Sequence, residues 1–217
     1  MKFFSDHLAP GERLGETLFG LILTLTFTLG AGLWFGTAEG ASRSLLVATS
    51  GCNVAWGVID GALLILGRIF DRGRLARLGL AIVGADAEHA REIVADELDE
   101  TLALISSDAK RIAFYDDVVN FVRGSPRRQP RMTWADARAA LAVFWLVFFA
   151  SLPAALPFLV IKDPWLALRT SNALLIGMLF WVGYRWAGYT SFNQLRFGIG
   201  LTVLGIVLVL IAILLGG

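Results

Sequence analysis

The chain has 217 residues, 56% of them hydrophobic and 17% charged, with a formal net charge of +1 and a mean hydropathy of +0.67. That is too apolar for a soluble globular domain, and no nucleic-acid-binding motif stands out, so the composition implies an integral membrane protein. The single cysteine, Cys52, rules out an intramolecular disulfide and reads as a small hydrophobe inside a span.

Residues 1–16 are polar and contain no apolar core of signal-peptide length, so the first span is expected to double as the targeting signal. Pro10-Gly11 reads as a break, and Glu12, Arg13 and Glu16 as part of a short helix on the membrane surface. The first span is expected from Thr17 to Gly36, near the roughly 20 residues a bilayer requires. Thr24 and Thr28 share a face with Gly20, which suits packing against a second helix; local bonding of these hydroxyls to their own backbone is the plainer alternative.

A link from Thr37 to Ser44 leads into the second span, Leu45 to Gly67, and here stands the costliest residue in the chain. Asp60 lies inside this apolar run, where an ionisable side chain costs roughly 2.5–3.5 kcal/mol and ordinarily faces a bundle interior or a water-filled path. Asn53 precedes it by two helical turns on the same face, and Gly57 and Gly61 flank it, so a neighbouring helix can come close. These residues read as a proton or cation site, with a helix-gluing Asn/Asp pair as the alternative. Arg68, Arg72, Arg74 and Arg77 then act as stop and orientation signal together. Sixteen Lys and Arg fall on the side holding the N-terminus and residues 68–138, against three on the other, which places the large loop in the cytoplasm and the C-terminus outside.

The loop 68–136 holds 12 of the 18 acids. From Asp86 to Ile105 the periodicity is that of an amphipathic helix, with Ala87, Val94, Leu98, Leu102 and Ile105 in one arc. Glu88, His89, Glu92, Asp96, Asp99 and Glu100 gather on the opposite side, a set of hard oxygen and imidazole donors suited to iron or manganese, or else a solvated face. A second helix is expected from Asp108 to Val122, capped by Ser106 or Ser107, with Ile112, Tyr115, Val119 and Val122 on one stripe. Gly124-Ser-Pro-Arg-Arg-Gln-Pro-Arg131 reads as a basic hinge meeting lipid headgroups, and Thr133-Trp-Ala-Asp136 as the cap of the third span. That span, Ala137 to Ile161, carries Pro153 and Pro157, which are expected to kink or unwind its outer half. The fourth, Trp165 to Tyr184, begins with Arg169 and Asn172. Trp181, Tyr184, Trp186 and Tyr189 read as an aromatic belt. The fifth, Phe197 to Leu215, is aliphatic, and its glycines Gly198, Gly200 and Gly205 permit close packing.

The expected fold is therefore all-α, a five-span, multi-pass protein of a bacterial inner membrane with a cytoplasmic helical module between spans two and three. No Ser-His-Asp set, HExxH, Walker loop, CxxC or GxGxxG pattern is present, so hydrolytic or redox enzyme chemistry is not expected.

This layout resembles that of the vacuolar iron transporter family. The likeness is carried by Leu156-Pro-Phe158, by Met178-Leu-Phe-Trp-Val-Gly-Tyr184, and by Leu195-Arg-Phe-Gly-Ile-Gly-Leu followed by Leu204-Gly205 and Gly216-Gly217. The resemblance implies a dimeric unit that exports iron or manganese from the cytoplasm against protons, the divalent ion being substrate and no cofactor being held permanently. It also implies that Asp60, in Val-Ile-Asp-Gly, serves the ion path, and that Glu88, Glu92, Asp96, Glu97 and Glu100 stand in a metal-gathering region. Glu16-Thr17 stands near the place of an Asp-Gly pair that the family carries in its first span. A reading from a different class is a membrane scaffold or regulatory subunit that docks a partner through its cytoplasmic helices.

Overall fold

The computed structural model describes residues 2–34, 41–103, 107–126 and 129–215. The expected link from 37 to 40, Gly36, Ile105, Ser106, Arg127, Arg128 and the closing Gly216-Gly217 lie outside them. Every element among the described residues is a helix: α1 Lys2–His7, α2 Pro10–Trp34, α3 Ala41–Gly84, α4 Ala87–Leu102, α5 Asp108–Gly124, α6 Trp134–Val160, α7 Pro164–Ala187 and α8 Gln194–Leu214. Among the described residues, four stretches are long and apolar enough to cross a membrane: Ser50–Gly84, Trp134–Val160, Pro164–Ala187 and Gln194–Ile211. The chain divides into two compact units, one of residues 1–64 with 134–217 and the other of residues 65–133.

Several boundaries differ from the sequence expectation for identifiable reasons. Pro10 opens α2 instead of breaking a surface helix; it has no N–H to leave unsatisfied at a helix start, and the Ala9 N–H donates to Glu12 Oε2 (2.7 Å). The helix of the second span does not end at its arginines. Arginine is a good helix former, no proline interrupts the run, and Leu78 and Ile82 keep an apolar stripe going until Gly84. Pro153 and Pro157 lie inside α6, which continues through both to Val160 without unwinding. Two more helix starts of the first unit carry a side-chain cap. Asp163 Oδ1 accepts from the Leu166 N–H (2.8 Å) ahead of α7, and Asn193 Oδ1 from the Arg196 N–H (3.0 Å) ahead of α8.

In the first unit, α2 packs against α6, α7 and α8. Leu21, Leu25, Ala150, Ala154, Leu175 and Leu179 form one core, and Leu8 with Ala139, Ala142, Val143 and Val147 another. Glycines set the closest approaches. A Cβ on Gly20 would stand 2.8 Å from Ala150 Cβ, and one on Gly183 would stand 2.9 Å from Leu201 Cβ. Gly198 and Gly205 likewise sit against Phe180 and Leu179, whereas Gly200 faces open space.

The second unit is built on Ile82, Ala90, Val94, Tyr115 and Val119. Asp86 caps α4 by accepting from the His89 N–H (2.8 Å). Ala90, not Ala87, lies in the buried arc, so the apolar face is rotated slightly from the expected one. Ser107 occupies the N-cap position of α5, and Ile112, expected on its inner stripe, is 50% exposed.

Candidate functional site

The expected site residues fall into two groups, one in each unit. In the first unit, α2 and α3 run antiparallel along a seam whose register can be read rung by rung. Asn53 Nδ2 donates to Thr24 Oγ1 (2.9 Å), and the Trp56 ring meets Phe19 edge-on at 5.6 Å. One helical turn further along, the same register brings Asp60 level with Glu16, and the Asp60 carboxylate is one of the charges acting on Glu16. At the edge of the same face of α3, Cβ atoms on Gly57 and Gly61 would lie 3.2 Å from the Phe144 carbonyl oxygen and 3.0 Å from that of Ala140. The two glycines thus admit α6, so that α2 and α6 flank the residues Asn53 and Asp60.

The polar atoms of the seam are unevenly satisfied. Thr24 Oγ1 donates to the Gly20 carbonyl (2.7 Å) while accepting from Asn53, so it serves both its own backbone and the neighbouring helix. Thr28 is buried and donates to the Leu25 carbonyl (3.2 Å). Asn53 is 0% exposed, yet its Oδ1 has no hydrogen-bond partner. Asp60 Oδ2 and Arg13 Nε are buried in the same condition. Glu16, one residue ahead of the apolar run that begins at Thr17, is pushed up to about 7 by burial first, and then by the Asp60 and Glu12 carboxylates.

Asn53 and Asp60 do not form a single coordination shell. Seven residues of helix separate them by about 10 Å along the axis, several times a metal–oxygen bond. They are successive positions along the seam, with the carboxylates at one and the amide and hydroxyl at the next.

No family model matches this chain, and no curated protein does.

Among the described residues, four buried polar residues of the first unit lie on α6 and α7. Asp136, in the first turn of α6, is 2% exposed. Ser151 Oγ donates to the Phe148 carbonyl (2.7 Å), and Ser171 Oγ crosses from α7 to the Ala154 carbonyl (2.9 Å). Asn172 is 8% exposed with an unpartnered Oδ1. Asp136 reads from sequence as a capping residue; Ser151 lies between the apolar Ala150 and Leu152, whereas Ser171 stands among Arg169, Thr170 and Asn172 and no sequence signal places it inside.

The acidic set of the second unit is arranged differently. Arg74 grips Glu97 with two bonds, Nη2 to Oε1 (2.6 Å) and Nη1 to Oε2 (2.7 Å), and this holds the carboxyl below its usual range. Asp99 accepts from the Tyr115 hydroxyl (2.8 Å) and pairs with Arg111 Nε (2.9 Å). His89 Nδ1 lies 3.0 Å from Glu92 Oε2 within its own helix. Glu88, Asp96 and Glu100 are exposed. Among the described residues, no three His, Cys, Asp or Glu side chains stand close enough to share one metal ion. Through these bonds Glu97 and Asp99 tie α4 to α3 and α5.

Proposed function

We propose that the protein is a five-span membrane transporter that moves a divalent cation through the α2–α3 seam in exchange for protons. The observation that carries this reading is the buried, unpartnered Oδ2 of Asp60 beside a second carboxylate, Glu16. Two negative groups together can neutralise a divalent charge, and two carboxylates close enough in a bundle for one to act on the other are poorly explained by packing alone. The apolar run of α2 from Thr17 would be the fifth span, with its N-terminus and the second unit in the cytoplasm. The resemblance of the layout to vacuolar iron transporters narrows the class to iron or manganese.

In this mechanism a cation leaving the cytoplasm meets Glu16 and Asp60 first and is held by their oxygens. Its next neutral ligands along the seam are Asn53 Oδ1 and Thr24 Oγ1, which hold it weakly enough to let it go. Protonation of the vacated carboxylates resets the site, and that is where proton coupling enters. The exposed acids Glu88, Glu92, Asp96 and Glu100 would raise the local concentration of cations electrostatically, without closing around any one of them.

Calorimetric titration of the detergent-purified protein with Mn²⁺ tests this. Asp60→Asn should abolish the saturable heat. The triple change Glu88→Gln, Glu92→Gln, Asp96→Asn should leave the number of sites unchanged and weaken apparent affinity only at low salt. A scaffold would show no saturable site at all.

A further inference from the structure

A second site stands apart from the seam, at the start of α8, where a cavity of about 490 Å³ opens. We propose that it binds an anionic phospholipid, with Arg196 on the phosphate and an acyl chain laid along Gly200, Leu201 and Leu204. Arg196 is the ionisable residue among the described residues that line this groove. Among the described residues no carboxylate pairs with its guanidinium. It projects from the first turn of α8, at the positive end of the helix dipole.

Beyond the charge the wall is apolar. Phe192 and Phe197 stack at 5.6 Å and 12°, forming a flat side at the charged end. Nothing lies within 4 Å of where a Gly200 Cβ would be, so a slot runs past it toward Leu204. From Gln194 to Leu204 the helix rises about 15 Å, comparable to an extended chain of about a dozen methylenes.

The shape decides between occupants. A free anion would use Arg196 and leave the apolar strip idle, and a zwitterionic lipid would offer the same phosphate but bring its own cationic headgroup up to the guanidinium. Because α8 is apolar enough to cross a membrane from Gln194 onward, Arg196 sits at headgroup depth and the strip at acyl depth. An anionic lipid satisfies both ends together.

Native mass spectrometry of the whole protein in maltoside micelles tests this, with phosphatidylglycerol, phosphatidylcholine or sodium phosphate titrated in. Phosphatidylglycerol should be retained in preference to phosphatidylcholine, and inorganic phosphate should not displace it. Arg196→Gln should weaken phosphatidylglycerol retention about tenfold, the scale of one charge-assisted hydrogen-bonded pair, and weaken phosphatidylcholine retention less, so that the preference is lost. Gly200→Leu, which fills the slot without touching the arginine, should weaken it as well. Equal retention of the two lipids, an Arg196→Gln variant that keeps its preference, or displacement by phosphate would each overturn the proposal.

Discussion

Replacing Asn53 by leucine separates a residue kept for a passing cation from one kept to glue two helices. The side chain is wholly buried, with one hydrogen bond, from Nδ2 to Thr24 Oγ1 at 2.9 Å, and one bare oxygen. Losing an interhelical hydrogen bond within a membrane costs about 0.6 kcal/mol and at most about 1.7. Removing a buried acceptor that has no partner returns about 1–3 kcal/mol. The two nearly cancel, so Asn53→Leu should change stability by roughly −1 to +2 kcal/mol, a shift of a few degrees in Tm for a chain of this size. Thr24→Val does the opposite: it strands both polar groups of Asn53 and should cost more than Asn53→Leu. Thermal unfolding of both variants in detergent, beside their Mn²⁺ titrations, gives the comparison. An Asn53→Leu variant that is as destabilised as Thr24→Val, or that binds Mn²⁺ normally, refutes the reasoning.

Gly57→Leu should lower Tm by several degrees, because the new side chain meets the Phe144 backbone at about 3.2 Å and overpacking costs about 1–3 kcal/mol. Gly200→Leu, at an open position, should leave Tm within a degree or two and serves as its control. Glu16 supplies a pH dependence whose sign follows from its raised pKa. The native state keeps the proton after the unfolded chain has lost it, so stability is greatest below pH 4.5 and declines as the pH rises toward about 7. The shift corresponds to about 3 kcal/mol before screening and to about 1–2 kcal/mol for a half-exposed group. Glu16→Gln should flatten the Tm–pH curve over that window, and a slope left unchanged would show that another group sets it.

Much of the architecture was readable from periodicity. Asp86 and Asp163 announce their helices because a short acidic side chain can reach the free N–H groups three residues on, and Asn193 carries the same signal. The face shared by Asn53, Gly57, Asp60 and Gly61 follows from helical geometry alone. What lies across from that face does not. Single-sequence periodicity places Glu16 near the inner end of a helix, but only the rungs Asn53–Thr24 and Trp56–Phe19 bring it level with Asp60. The acids of α4 illustrate the converse. Their spacing puts them on one side of a helix, yet the arginines that claim Glu97 and Asp99 come from α3 and α5, tens of residues away or on the next helix. Ile112 has the spacing of a core residue and shares a face with the buried Val119, yet it is 50% exposed, because a shared face does not say how far along the helix the neighbouring elements reach.

Flux through reconstituted protein bears most directly on the Asp60 seam. Proteoliposomes loaded with a Mn²⁺-sensitive dye and given an inward-directed metal gradient and an opposing proton gradient should take up Mn²⁺ with the wild-type chain, and at the rate of empty liposomes with Asp60→Asn. Uptake that is undiminished in Asp60→Asn, or indifferent to the proton gradient in the wild-type chain, would contradict a carboxylate-based exchange pathway.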